Sequence, residues 1–138
     1  MSQNLIDSKM SRQLKFRAWD AVQNKMIFTF DGEYKIMVNS EDGTVFCGGH
    51  LPTGDWNEPP LMQFIGLADK IGNDIFEGDI VKTNNGKAMV ISWSDMHASF
   101  AIIKEGLAIR HFGEAMEANE CEIVGNVYEN WDVLKQEA

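Results

Sequence analysis

Hydrophobic and polar positions alternate with a period of two along much of this chain, which predicts short strands joined by tight turns. Leu14, Phe16 and Ala18 alternate with Lys15, Arg17 and Trp19, the pattern of a half-buried strand. A turn at residues 20–25 precedes M-I-F-T-F, a second strand ending at Asp31-Gly32. Alternation continues weakly through E-Y-K-I-M-V at 33–38. The segment S-E-D-G-T at 40–44 is a turn signal, since Gly43 can take a positive φ. Residues 48–60 hold Gly48, Gly49, Pro52, Gly54, Pro59 and Pro60 and read as an irregular connector.

Beyond the connector, L-M-Q-F-I-G-L opens a second section. Residues 71–81, I-G-N-D-I-F-E-G-D-I-V, break the chain at Gly72-Asn73-Asp74, and the step Glu77-Gly78-Asp79 launches a strand over 80–83. Asn84-Asn85-Gly86 is a hairpin signal, with K-A-M-V-I-S-W as the returning strand. Met89, Ile91 and Trp93 fall on one face of that strand and Ala88, Val90 and Ser92 on the other. Further strands follow in S-F-A-I-I-K, L-A-I-R-H-F and E-I-V-G-N-V-Y. Helix formers suggest short helices near 114–120 and 130–137, the second with Asn130 as its cap. The expected fold is mainly β (α+β at most). An N-terminal β section at 13–47 packs on a C-terminal curved sheet or Src-homology-3-like barrel at 61–138, joined by the 48–60 connector. Residues 13–138 form a single domain after a loose polar leader at 1–12.

Length and composition bound this picture without altering it. A chain of 138 residues can bury its own core without disulfides or metals. Cys47 and Cys121 lack regular spacing, the N-terminus has no apolar signal-like core, and no apolar run suffices for a membrane helix, so the expected compartment is the cytoplasm, without membrane association. Charge is unevenly spread: residues 1–30 carry five cations against two carboxylates (+3), and residues 113–138 one against seven (−6). A net charge of −9 opposes binding to phosphate backbones. The acidic end reads as a solubilising surface or, alternatively, as one half of an electrostatic pairing between subunits.

Three segments together resemble a known family. They are K-F-R-A-W-D at 15–20 with N-K-M at 24–26, the stretch from Gln63 through F-I-G-L-A-D-K-I-G-N-D-I-F-E-G-D-I-V, and E-I-V-G-N-V-Y-E-N at 122–130. In that order and spacing the chain is similar to the YopX family of bacteriophage and prophage proteins. Ile65 stands where the family often has a small hydroxyl residue. The resemblance implies a fold and a phage origin, and it brings no catalytic residues, cofactor or metal.

Candidate chemistry is sparse. Cys47-Gly-Gly-His50 has a spacing that could hold two zinc ligands, but a structural site needs four, and a Gly-rich turn is the simpler reading. Glu77 and Asp79, with Asp69 and Asp74 nearby, could form an acid/base pair; carboxylates beside turn glycines more often accept local backbone hydrogen bonds. Gly66, Gly72, Glu77, Gly78, Asp79 and Gly125 are therefore expected to be a structural turn signature. No phosphate loop, nucleophile elbow or dinucleotide fingerprint occurs. Lys15, Arg17 and Trp19 on the polar side of the first strand, with Trp56 in the connector, are the candidate partner contacts. Trp19 packed inside the protein is the alternative.

Three functions remain in competition. The first is a non-enzymatic interaction or assembly protein, a homo-oligomer or the binder of a host or phage protein. The second is a nucleic-acid accessory protein working through the basic and aromatic first strand. The third, an enzyme acting on small metabolites, would need a deep pocket holding perturbed titratable groups.

Overall fold

The computed structural model describes residues 13–28, 33–83, 86–104, 107–111 and 120–135. Its described elements are twelve strands and one short helix, so the protein is mainly β, as the alternating pattern predicts. The chain divides into two compact units, one of residues 16–63 and the other of residues from Phe64 onward with Lys15.

In the smaller unit, β1 (Phe16–Asp20) pairs antiparallel with β2 (Lys25–Ile27) and with the first residues of β6 (Leu61–Ala68). A separate three-stranded sheet runs in the order β3 (Tyr34–Val38), β4 (Val45–His50), β5 (Trp56–Asn57). The 40–44 turn joins β3 to β4 and Gly43 takes φ 76°, as its sequence implies. The core is small: Ala18, Tyr34 and Cys47, with Ile27, Leu51 and Leu61 packed against them. A buried polar network extends it. Asp20 accepts from the Val22 and Gln23 amides (3.0 and 3.2 Å), from Gln23 Nε2 (2.9 Å) and from the Tyr34 hydroxyl (3.1 Å), which in turn accepts from Asn57 Nδ2 (2.9 Å). Burial, foremost, raises the Tyr34 pKa above its ordinary value.

The 48–60 segment is not the irregular connector its glycines and prolines suggest. Residues 48–50 complete β4, and Trp56 and Asn57 form β5. Glycine normally weakens a strand, but here it marks close approach. A Cβ on Gly49 would run into the backbone carbonyl of Glu33, just before the paired strand β3, and one on Gly48 would lie 2.6 Å from Cζ2 of Trp56.

In the larger unit, the last residues of β6 pair with β7 (Asp74–Phe76) across a bulge between Phe64 and Ala68, where Gly66 takes φ 95°. The main sheet runs in the order β11-β10-β9-β8-β12: β11 (Leu107–His111), β10 (Ser99–Lys104), β9 (Ala88–Ser94), β8 (Asp79–Lys82) and β12 (Glu122–Asn126). It curls as an open half-barrel, the curved-sheet form of the expected architecture. Bulges at Ile102/Ile103 and Ile123/Gly125 add local twist. Ile75, Val81, Met89, Ile91, Ile102 and Cys121 fill the core, with Ile65 and Ile123 against it. Met89 and Ile91, on one face of β9, point into this core, while Trp93, assigned to the same face, is half exposed and stands edge-on to Phe100 at 5.1 Å.

Helix α1 (Trp131–Lys135) follows β12. Asn130 occupies its cap position, but the side-chain oxygen turns back to accept from the Asn126 amide (3.1 Å) instead of a helix amide. A Cβ on Gly125 would sit 2.5 Å from that amide group, so the small residue makes room for the fold-back. The helix expected near 114–120 and the leader at 1–12 lie outside the described residues, as do Asn84 and Asn85 of the β8–β9 hairpin.

Candidate functional site

Residues 69–79 gather two buried aspartates and two positive-φ glycines, and both carboxylates point at backbone amides. Asp69 is 4% exposed. Its Oδ1 accepts from the Ile71 and Asn73 amides (3.1 and 2.9 Å), and its Oδ2 accepts from the Ile123 amide of β12 (3.0 Å). Burial pushes this carboxyl up, but the amides of Ile123, Asn73, Ile71 and Gly72 outweigh burial and hold it below the ordinary aspartate range. One side chain therefore closes the 69–73 turn, where Gly72 takes φ 91°, and fastens it to a strand more than fifty residues away.

Asp79 does the same for the next turn. Glu77 and Gly78 connect β7 to β8, and the Phe76 amide donates to Asp79 Oδ2 at 2.8 Å. Gly78 takes φ 84°, where a Cβ would be strained; its amide donates to Ile91 O (2.8 Å) and its carbonyl accepts from Val127 N (2.9 Å). Asp74, by contrast, lies at the surface paired with Lys15 (2.8 Å). The acidic crowding around Gly72 and Gly78 is turn architecture.

The first strand is a correction to the sequence reading. Arg17 is 4% exposed and Trp19 8%, because β1 is covered on both faces and has no polar side. Lys15 remains at the surface, its ammonium 4.8 Å from the Phe64 ring centre as well as beside Asp74. The basic and aromatic groove needed for nucleic acid is thus absent from this strand: two of its three members are buried.

Trp56 is different. It is 52% exposed, at the edge of a cleft of about 280 Å³ on the β3–β4–β5 sheet. Glu33, Lys35 and Met37 line one side, His50 and Trp56 the other, and Gly48 and Gly49 the floor. The registers Lys35↔Gly48 and His50↔Trp56 put these groups on one face, because antiparallel partners share a face. Lacking a side chain, Gly48 makes room for the tips of Trp56 and Met37, which pack over the central strand. The His50 ring stands at 79° to the Trp56 ring with centres 5.3 Å apart, and its Nδ1 lies 3.2 Å from Gly54 O, so the imidazole braces the tryptophan. No feature of the sequence announced this cleft beyond the pairing of Gly48-Gly49 with a following tryptophan.

Cys47 and His50 lie three residues apart on one strand and so face opposite sides: Cys47 enters the core and His50 the cleft. Burial pushes the Cys47 thiol up. It also pushes Cys121 up, to about 11, with the charge of Asp69 adding to the effect, so both thiols stay protonated and inert. Among the described residues, no three His, Cys, Asp or Glu side chains gather as a metal requires, and no helix is long and apolar enough to cross a membrane.

A mainly β protein, built around a curled open sheet whose defining turns are locked by buried aspartates, is the class these features define. The family model described as YopX protein matches residues 15–135, and the chain belongs to the YopX family. Two solved structures are similar to it. Protein EF1440 from Enterococcus faecalis is 23% identical with a TM-score of 0.55, the match covering 90% of this chain and 99% of that one. Protein yopX from Bacillus subtilis is 19% identical with a TM-score of 0.55, covering 87% and 97%. At these identities the likeness establishes the fold alone. A comparison with curated proteins finds no match.

Proposed function

We propose that this chain is a non-enzymatic interaction module of a phage or prophage, acting in the bacterial cytoplasm through the open face of the β3–β4–β5 sheet. The observation that carries this reading is the half-exposed Trp56, braced by His50 with its tip over Gly48, at the edge of a cleft on this sheet. Tryptophan held in one orientation contributes contact area at little entropic cost, and such residues dominate binding surfaces. Support also comes from the signature segment, where Asp69 and Asp79 hold backbone amides and so serve folding. The partner is a second copy of the chain or a host or phage protein.

Light scattering after size exclusion, at low and high salt, tests self-association, and cross-linking in the host cell tests a foreign partner. Association that Trp56→Ala removes supports the module. A strict monomer that cross-links to nothing, or association indifferent to Trp56, contradicts it.

A further inference from the structure

We propose that the cleft around Gly48 receives a basic side chain, arginine or lysine, carried by an extended segment of a partner protein. This rests on the reading of the chain as an interaction module and gives that module's ligand a chemistry.

Size speaks first. A cleft of about 280 Å³ falls just below the roughly 300–1,000 Å³ of pockets that enclose whole cofactors or drug-sized ligands, so it suits one side chain. Its walls speak next. Trp56 is half exposed at the cleft edge, and tryptophan is the best of the aromatic residues at attracting a cation. His50 braces the ring, whose tip packs with that of Met37 over Gly48, so the exposed half of the ring is the part left for a guest.

Charge decides the sign of the guest. Glu33 lines the cleft, and Asp55 and Glu58 flank Trp56 in the chain. Across residues 16–63 there are three cations (Arg17, Lys25, Lys35) against seven carboxylates (Asp20, Asp31, Glu33, Glu41, Asp42, Asp55, Glu58), a net of −4. Among the described residues, Lys35 is the one Lys or Arg lining the cleft, and Glu33, two residues earlier, lines it as well. An anionic guest would meet both a negative field and a negative ring face with only Lys35 in its favour. A cation meets attraction from the field, the ring and Glu33, with Lys35 directing it toward the Trp56 side.

Fluorescence anisotropy on the full chain tests this with a labelled hexa-arginine peptide at low salt, beside hexaglutamate and a serine peptide carrying one phenylalanine. The expected result is binding of hexa-arginine alone, weakened as salt rises. Trp56→Ala is charge-neutral and should weaken binding by roughly two- to thirtyfold, the range of cation–π strengths. Glu33→Gln should weaken it severalfold, and Trp56→Phe, which keeps a π face, should fall between. Trp93→Ala, which removes a comparably exposed tryptophan from the other unit, should leave it unchanged. Equal hexa-arginine binding by Trp56→Ala would overturn the proposal, reducing the attraction to bulk acidity, as would equal binding of the phenylalanine peptide or no binding at all. If Trp56→Ala misfolds by circular dichroism, the Trp56→Phe and Glu33→Gln results decide. Trp56-dependent self-association without peptide binding would refute this ligand chemistry and leave the module standing; absence of both would remove the two together.

Discussion

Residues 69–79 and residues 48–57 each hold a pair of glycines, put to opposite ends, while Gly54 between the strands of the second takes φ 89° in a turn. In the first segment Gly72 and Gly78 supply positive φ, and Asp69 and Asp79 turn inward onto backbone amides. In the second, Gly48 and Gly49 are ordinary strand residues chosen for absence of bulk, and the aromatic side chains beside them stay at the surface. A glycine-rich motif therefore says little until it is known whether the glycine is required for its dihedral angle or for its missing Cβ. The first use builds the fold, with both aspartates turned onto backbone amides; the second lets the Trp56 and Met37 side chains lie over the central strand.

Substitutions separate the two uses, and the largest effect is expected at Gly49. Its Cβ would overlap the Glu33 carbonyl, a backbone atom that cannot step aside, so Gly49→Ala should cost about 3 kcal/mol or more, read from urea unfolding. A drop below about 1 kcal/mol would mean that the β3–β4 pairing is looser than described. Asp69→Ala should cost about 2–3 kcal/mol, because three backbone amides lose their charged acceptor together. Asp69 also leaves a signature in pH. Its folded pKa lies below the unfolded value of about 3.9, so its stabilisation is complete at neutral pH. That stabilisation declines as pH falls past the unfolded value and is gone below the folded one. Asp69→Asn should flatten this part of the acid unfolding curve; an unchanged slope would remove the lock.

Gly78→Val comes next, at about 1–3 kcal/mol for a β-branched residue forced to φ 84°. Asp79→Asn should cost about 1 kcal/mol and remain folded, since the amide oxygen can still accept from Phe76. Smallest of all is Trp56→Ala, below about 1 kcal/mol in the same unfolding measurement, because the ring is half in water. A loss well above that would make Trp56 part of the core and blunt the contrast between the segments.

Much of this was legible in the residues. Alternation located β1, β3, β8, β9 and β12, and the Glu77-Gly78-Asp79 step was readable as a turn because its chemistry is local. What escaped was non-local. Nothing near Asp69 shows that its second oxygen holds Ile123, and nothing near Asp20 shows that it holds Tyr34. The polar look of β1 misled for the same reason: Arg17 and Trp19 alternate as surface residues would, yet both faces of the strand are covered. In residues 48–60, the helix- and strand-breaking habit of glycine and proline outweighed in the sequence what a close strand approach requires in three dimensions.

The central claim is that the signature segment folds the protein while the Trp56 face binds. Its most direct test is one pair of binding isotherms, hexa-arginine titrated into Asp79→Asn and into Trp56→Ala, each confirmed folded. The account predicts that Asp79→Asn matches the parent chain and that Trp56→Ala binds several-fold more weakly. Lost binding in Asp79→Asn with Trp56→Ala unaffected would place the working surface at the signature and contradict the account.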